Sequence, residues 1–132
     1  IRDGAVTAAQ EALTACAAEK HAVSVAIVAR DGATKVVLKA DGSGPHTGSS
    51  ATGKAFGSAA LGRDTAGLAE FIATNPQNDG LRDMDDRLVL QAGGLPIRIA
   101  GALVGGIGVG GAPSGDVDAA CARAGLDAIG AE

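Results

Sequence analysis

In this 132-residue chain the side chains suited to chemistry are few: two histidines, two cysteines, a handful of serines and a short acidic run. His46 follows Gly44-Pro45 and precedes Thr47-Gly48-Ser49-Ser50, in a loop pinned by proline and leading into a helix. A lone loop histidine of this kind reads first as exposed and inert, with a metal ligand as the competing reading. His21 stands where the first helix gives way to the first strand, and reads as a solvated C-terminal residue favoured by the helix dipole. Lys54 reads as part of a solvated helix face. Asp83, Asp85 and Asp86 alternate with Arg82 and Arg87, without the spacing of a calcium loop, which points to a solvated, salt-bridged segment. Ser49, Ser50 and Ser114 have no partner base in a triad-like context, and no Cys/His pattern supports structural zinc. No catalytic residue is assigned.

The stretch from Gly93 to Gly115, GGLPIRIAGALVGGIGVGGAPSG, needs a separate test against nucleotide binding. Phosphate and dinucleotide loops place their glycines at the turn between a parallel strand and its helix. Here the glycines fall largely within a strand, and neither a ribose-binding acid nor a Walker lysine follows. Glycine weakens a strand, so this many glycines imply that backbone must come close to something, either another backbone or a ligand. Close backbone packing, including between subunits, is the preferred explanation.

The elements that would position these residues follow from periodicity and turn chemistry. Thr7 with Gln10 resembles a capping box that opens a helix to about residue 20, with Leu13, Cys16 and Ala17 as its narrow buried stripe. Val23–Ala29 is a strand, Arg30-Asp31-Gly32-Ala33 a hairpin turn, and Val36–Leu38 the returning strand. A second helix runs from Ser49 or Ser50 to about Leu61, with Ala51, Ala55 and Ala59 stacked on one face. Asp64 or Thr65 caps a third helix carrying Leu68, Phe71 and Ile72, which stops before Asn75-Pro76. A polar loop covers 75–87. Leu88–Leu90 starts a third strand, and Leu95–Ile99 and Leu103–Val109 form a hairpin turning at Ala100-Gly101. Asp116 opens the last helix, with Val117, Ala120, Cys121, Ala124 and Ala128 at helical spacing. The order is α-β-β-α-α-β-β-β-α, an α+β domain over 1–132 with a mainly antiparallel five-stranded sheet flanked by helices.

Composition narrows the partners. Apolar residues make up 46% of the chain and aromatics 2%, so the core must be built from Ala, Val, Leu and Ile with elements packed close together. A net charge of −4 without a Lys/Arg cluster argues against nucleic acid, and no apolar run is long enough for a membrane span. The first residue is Ile rather than Met, which fits either a removed leader or a trimmed chain. Cys16 and Cys121 leave the redox compartment open; the reading preferred is two buried small hydrophobes.

Taken together, GGLPIRI, GALVGGIGVGGAP and the DxxCARAGL pattern ending at Leu126 resemble the GlcG/HbpS-like family of small haem-binding proteins, most closely its exported members. The resemblance covers nearly the whole chain. It implies haem as cofactor, a homo-oligomer, and a periplasmic or secreted location, with a cytoplasmic one as the alternative. It also implies that the helices carrying Cys16 and Cys121 share one side of the sheet, which permits a bridge without requiring one. The GPHT loop of exported relatives corresponds to Gly44, Pro45, His46 and Thr47, followed by Ser49, Ser50, Lys54 and Ala55. By that correspondence His46 is the expected iron ligand and Thr47 a weaker second candidate; Lys54, and equally Arg63 or Arg87, could pair with a propionate because cations suit carboxylates. No second protein ligand is evident, which leaves the iron five-coordinate, water-bound or sandwiched between subunits. Two other functions stay open: an accessory protein of a catabolic pathway binding a corrinoid or flavin, and an enzyme that degrades haem oxidatively.

Overall fold

The computed structural model describes residues 2–132, with side chains from Gly4 onward. Helix α1 is Arg2–Ala18, strands β1 and β2 are Ser24–Ala29 and Thr34–Lys39, and helices α2 and α3 are Thr47–Leu61 and Thr65–Thr74. A 3₁₀-helix covers Pro76–Asp83, followed by β3 at Gly94–Ile99, β4 at Ala102–Gly110 and α4 at Gly115–Ala128. The sheet is antiparallel throughout, in the order β2-β1-β4-β3. It has four strands, not five.

The expected strand at Leu88–Leu90 is extended chain packed on helices. Val89 N bonds Gly53 O of α2 at 3.3 Å, and Leu90 O accepts from Arg82 Nη1 at 2.9 Å. Leu90 is buried against Leu68 and Ile72 of α3. A three-residue apolar run carries no period that separates a strand from a segment lying on a helix.

Alternation along the central strands sorts the two layers. Val25, Ile27, Ile107 and Val109 face α1 and α4 in the larger core. Ala26 and Val28 face Ala51, Ala55 and Ala59 of α2 on the opposite side. The glycines of β4 explain how α2 lies so close. A Cβ at Gly106 would overlap the carbonyl of Ala55, and one at Gly108 would overlap that of Ala51. The close approach expected for the glycine-rich strand is therefore made within the chain, helix on strand.

Helix starts depart from expectation: α1 begins before Thr7, α2 begins at Thr47 rather than Ser49 or Ser50, and α4 begins at Gly115 rather than Asp116. Thr7 and Gln10 are exposed residues within α1, so they do not cap its start. The stripe of α1 that is buried is Ala5, Ala8, Ala9, Ala12 and Cys16; Ala17 is exposed. On α4 the buried side is Asp118, Cys121, Ala122, Gly125 and Leu126, whereas Ala120 and Ala128 face out. Ser114 caps α4 by accepting from Val117 N, and Asp64 caps α3 by accepting from Gly67 N. The cysteines are not free thiols: Cys16 and Cys121, with Cα atoms 5.6 Å apart, form a disulfide that ties α1 to α4.

Candidate functional site

The turn at 44–47 is held from within. Thr47 is buried, and its hydroxyl donates to Gly44 O at 2.7 Å. Ser24 Oγ lies 2.8 Å from Thr47 Oγ1. A hydroxyl has one proton, so with Thr47 donating to Gly44 the Ser24 hydroxyl is the donor in the second bond. This pair fastens the turn to the first residue of β1. Thr47, offered by the sequence as a second haem contact, braces the turn, with its hydroxyl engaged by Gly44 and Ser24.

The neighbouring side chain points the other way. His46 is the N-cap residue of α2, is exposed, and makes no side-chain cap bond. Its ring lies over Gly44, where a Cβ would stand 2.7 Å from Cε1. Only glycine leaves the imidazole that position. His46 is thus fixed at its backbone and open at its ring.

Lys54 departs furthest from its expected place. It is buried, with Nζ 3.0 Å from Val109 O and 3.0 Å from Asp118 Oδ2. Asp118 Oδ1 accepts from Ala112 N at 3.0 Å. Burial pushes the Asp118 carboxyl above its ordinary value, while Lys54 and the Ala112 amide favour the anion and oppose that rise. The ammonium is occupied by these internal partners, so Lys54 joins α2, β4 and α4 and does not present its charge to a ligand.

The two arginines fare differently. Arg63 is exposed at the C-terminal end of α2, with its guanidinium 5.7 Å from the centre of the Phe71 ring. Fifteen helical residues separate it from the His46 turn, roughly 20 Å along the axis. Arg87 lies 4.1 Å over the Phe56 ring and is gripped by both oxygens of Asp85, at 2.9 and 2.8 Å. That bidentate contact holds Asp85 down at about 2 and raises the Arg87 value. Arg87, Val37, Ser49, Thr52 and Val89 line an open groove of about 420 Å³ between β2, the first turns of α2 and the 86–89 segment. His46 precedes Ser49 by three residues, one turn back along the same side of α2.

Of the expected site residues, Arg87 lines this groove and His46 stands one turn before Ser49, which also lines it, while Thr47, Lys54 and Arg63 are not part of its lining. Sequence reasoning missed Val37 and Gly53. Val37 is the outward residue of the β2 alternation and is 46% exposed. Gly53 lets the 87–89 segment lie on α2, since a Cβ there would overlap Val89. A glycine inside a helix was the available signal.

Comparison with known proteins now decides the family. The family model described as "Haem degrading protein HbpS-like" matches residues 2–127. The chain belongs to the HbpS-like family. Two crystal structures of HbpS, one of them a double mutant of the Streptomyces reticuli protein, are each 42% identical to this HbpS-like chain, with TM-scores of 0.90. They cover 96% of it and 84% and 87% of their own chains respectively. A PduOC:heme complex shares the fold, at 22% identity and a TM-score of 0.87 over 98% of this chain and 94% of its own. No curated protein matches the sequence. Among the described residues, no helix of the HbpS-like chain is long and apolar enough to cross a membrane.

Proposed function

We propose that this HbpS-like protein binds haem at the groove beside α2, with His46 as the iron ligand. The observation that carries the reading is the open imidazole at the N-cap of α2, one turn before the residues of an open groove that has an apolar side and carries Arg87 and Asp86. The fit is chemical as well as spatial. Val37 and Val89 offer apolar contact to a macrocycle face, and the exposed Arg87, whose Nε and Nη2 are taken by Asp85, keeps Nη1 for a propionate. The N-terminal end of α2 also favours an anionic group. Bound there, haem would supply a redox-active iron with one imidazole ligand. The 42% identity to HbpS and the haem complex of a protein with this fold support the choice of cofactor.

The same reading has the chain working as a capture, storage or sensing protein outside the cytoplasm. The Cys16–Cys121 disulfide supports an oxidising compartment. Assembly with copies of itself belongs to the proposal too: the groove is open on one side, so a second chain would complete the cover over the macrocycle. A hemin titration of the purified protein tests the function. A saturable, shifted Soret band at fixed stoichiometry supports it, and a spectrum that only sums protein and free hemin counts against it. Loss of the band of the complex with reductant and oxygen, faster than for free hemin, would support the haem-degrading alternative, in line with the family model's description.

A further inference from the structure

The sheet carries two β-bulges, and both deliver their unpaired residue to one cleft. In the β1–β2 pair the register passes from Ile27↔Val36 to Val28↔Thr34, which leaves Lys35 without a partner. In the β3–β4 pair it passes from Ile97↔Gly105 to Arg98↔Leu103, which leaves Val104 without one. A bulge bends its strand and re-aims the extra side chain. Lys35 and Val104 both line an opening of about 270 Å³ at this end of the sheet, on the side covered by α1 and α4. Its apolar wall includes Ile27, Ile97, Ile99 and Ile129. Among the described residues Lys35 is the one charged residue lining it, and it forms no ion pair with any of them.

We propose that this cleft is a second ligand site, for a small amphiphile with an aliphatic body and an anionic head, a medium-chain carboxylate, whose head is held by Lys35. The volume sits just below the usual range for ligand sites, ~300–1,000 Å³, which suits one short chain and excludes a macrocycle. Charge decides the head group. The chain carries a net charge of −4, so an anion comes to rest only where a local cation offsets that field, and the mouth of this cleft has one. The site does not depend on the haem reading. It lies at the Ala29 end of β1, whereas the His46 turn is braced to Ser24 at the other end.

Decanoate, kept below its micellar concentration, is the probe, with decanol as the uncharged comparison. Binding is followed by calorimetry and by methyl NMR of the isoleucines and valines. Saturation at one decanoate per chain, with shifts concentrated on Ile97, Ile99, Val104 and Ile129, is the expected result. Lys35→Glu should weaken decanoate by about tenfold or more and leave decanol nearly unaffected. Val104→Phe should block both ligands by filling the cleft; Lys35→Glu, at an exposed position, decides the matter if that variant folds poorly. Absence of saturable binding overturns the proposal, as do shifts confined to Val37 and Val89 at the other groove. It is also overturned if the cleft methyls shift with protein concentration alone, because a second copy would then be their cover.

Discussion

Lys54 on α2 and Asp118 on α4 form a buried ion pair, 3.0 Å from Nζ to Oδ2, across the end of β4. The remaining carboxylate oxygen takes the Ala112 amide and the ammonium also takes the Val109 carbonyl, so both charges are hydrogen-bonded on more than one side. The pair fixes the helix that carries His46 against the strand that carries the glycines.

Breaking that pair should be costly in a pH-dependent way. Lys54→Met removes a contact that favours the Asp118 anion while burial remains, so the folded carboxyl value rises further above its ordinary 3.8. The folded state then holds its proton more tightly than the unfolded state does. Stability is therefore kept below the unfolded value and lost as pH rises through the folded one. Denaturant titrations should show a deficit against wild type that is small near pH 3 and grows to about 3–5 kcal/mol near neutrality. A pH-independent deficit would mean that Asp118 carries no strain of burial. Replacing both residues by apolar ones of similar size should recover most of the loss.

The packing of α2 on β4 makes a second prediction. Gly108→Val would drive a side chain into the carbonyl of Ala51, and Gly106→Val into that of Ala55. Each should lower stability by about 3 kcal/mol or more, since backbone on both sides cannot give way as a side chain can. Gly42→Ala is the informative contrast: its positive φ of 86° is strained for alanine, yet nothing stands within 4 Å of the added atom. It should cost about 1 kcal/mol. Equal losses at Gly42 and Gly108 would remove close packing as the reason for glycine in β4.

The Cys16–Cys121 bridge closes a sequence separation of 105 residues and joins the two helices on one face. The double variant Cys16→Ala/Cys121→Ala should unfold with a stability loss of about 2–5 kcal/mol. Thiol titration of the denatured, unreduced protein should find no free thiol. Two free thiols in protein recovered from an oxidising compartment would contradict the bridge.

Asp85 and Arg87 supply an acid-range prediction at the groove. Asp85 titrates at about 2 because Arg87 holds its anion. Arg87→Gln should return its carboxyl resonance, followed by NMR, toward the ordinary 3.8. Since the folded value is depressed, the contact stabilises above the unfolded value and is lost as pH falls from there toward 2. At neutral pH Arg87→Gln should weaken hemin binding severalfold through the lost propionate contact. Unchanged hemin affinity would take Arg87 out of the site.

Much of this fold is legible in the sequence where a local rule acts alone. The Asp31-Gly32 and Ala100-Gly101 turns form where expected, with Gly32 at φ 88° and Gly101 at φ 82°, and Asp64 caps α3. What escapes is decided by partners distant in the chain. A lysine among alanines and glycines reads as solvated until Asp118, 64 residues away, is placed beside it. Leu88–Leu90 reads as a strand until α3 is seen to receive Leu90. The choice between two buried thiols and a bridge depended on a helix pairing that spacing does not encode. For the site, the GPHT pattern located an exposed histidine, but the groove beside it is made by Val37, Thr52 and Val89, which carry no motif.

The most direct test of the central claim is the Soret spectrum of the His46→Ala variant saturated with hemin, set against wild type. Side-chain exposure of His46 makes a folding defect avoidable, and circular dichroism should be unchanged. Ligation by His46 predicts loss or a blue shift of the bound band, with recovery toward the wild-type spectrum on adding imidazole. A variant spectrum superimposable on wild type would contradict it, and would place the iron on some other ligand.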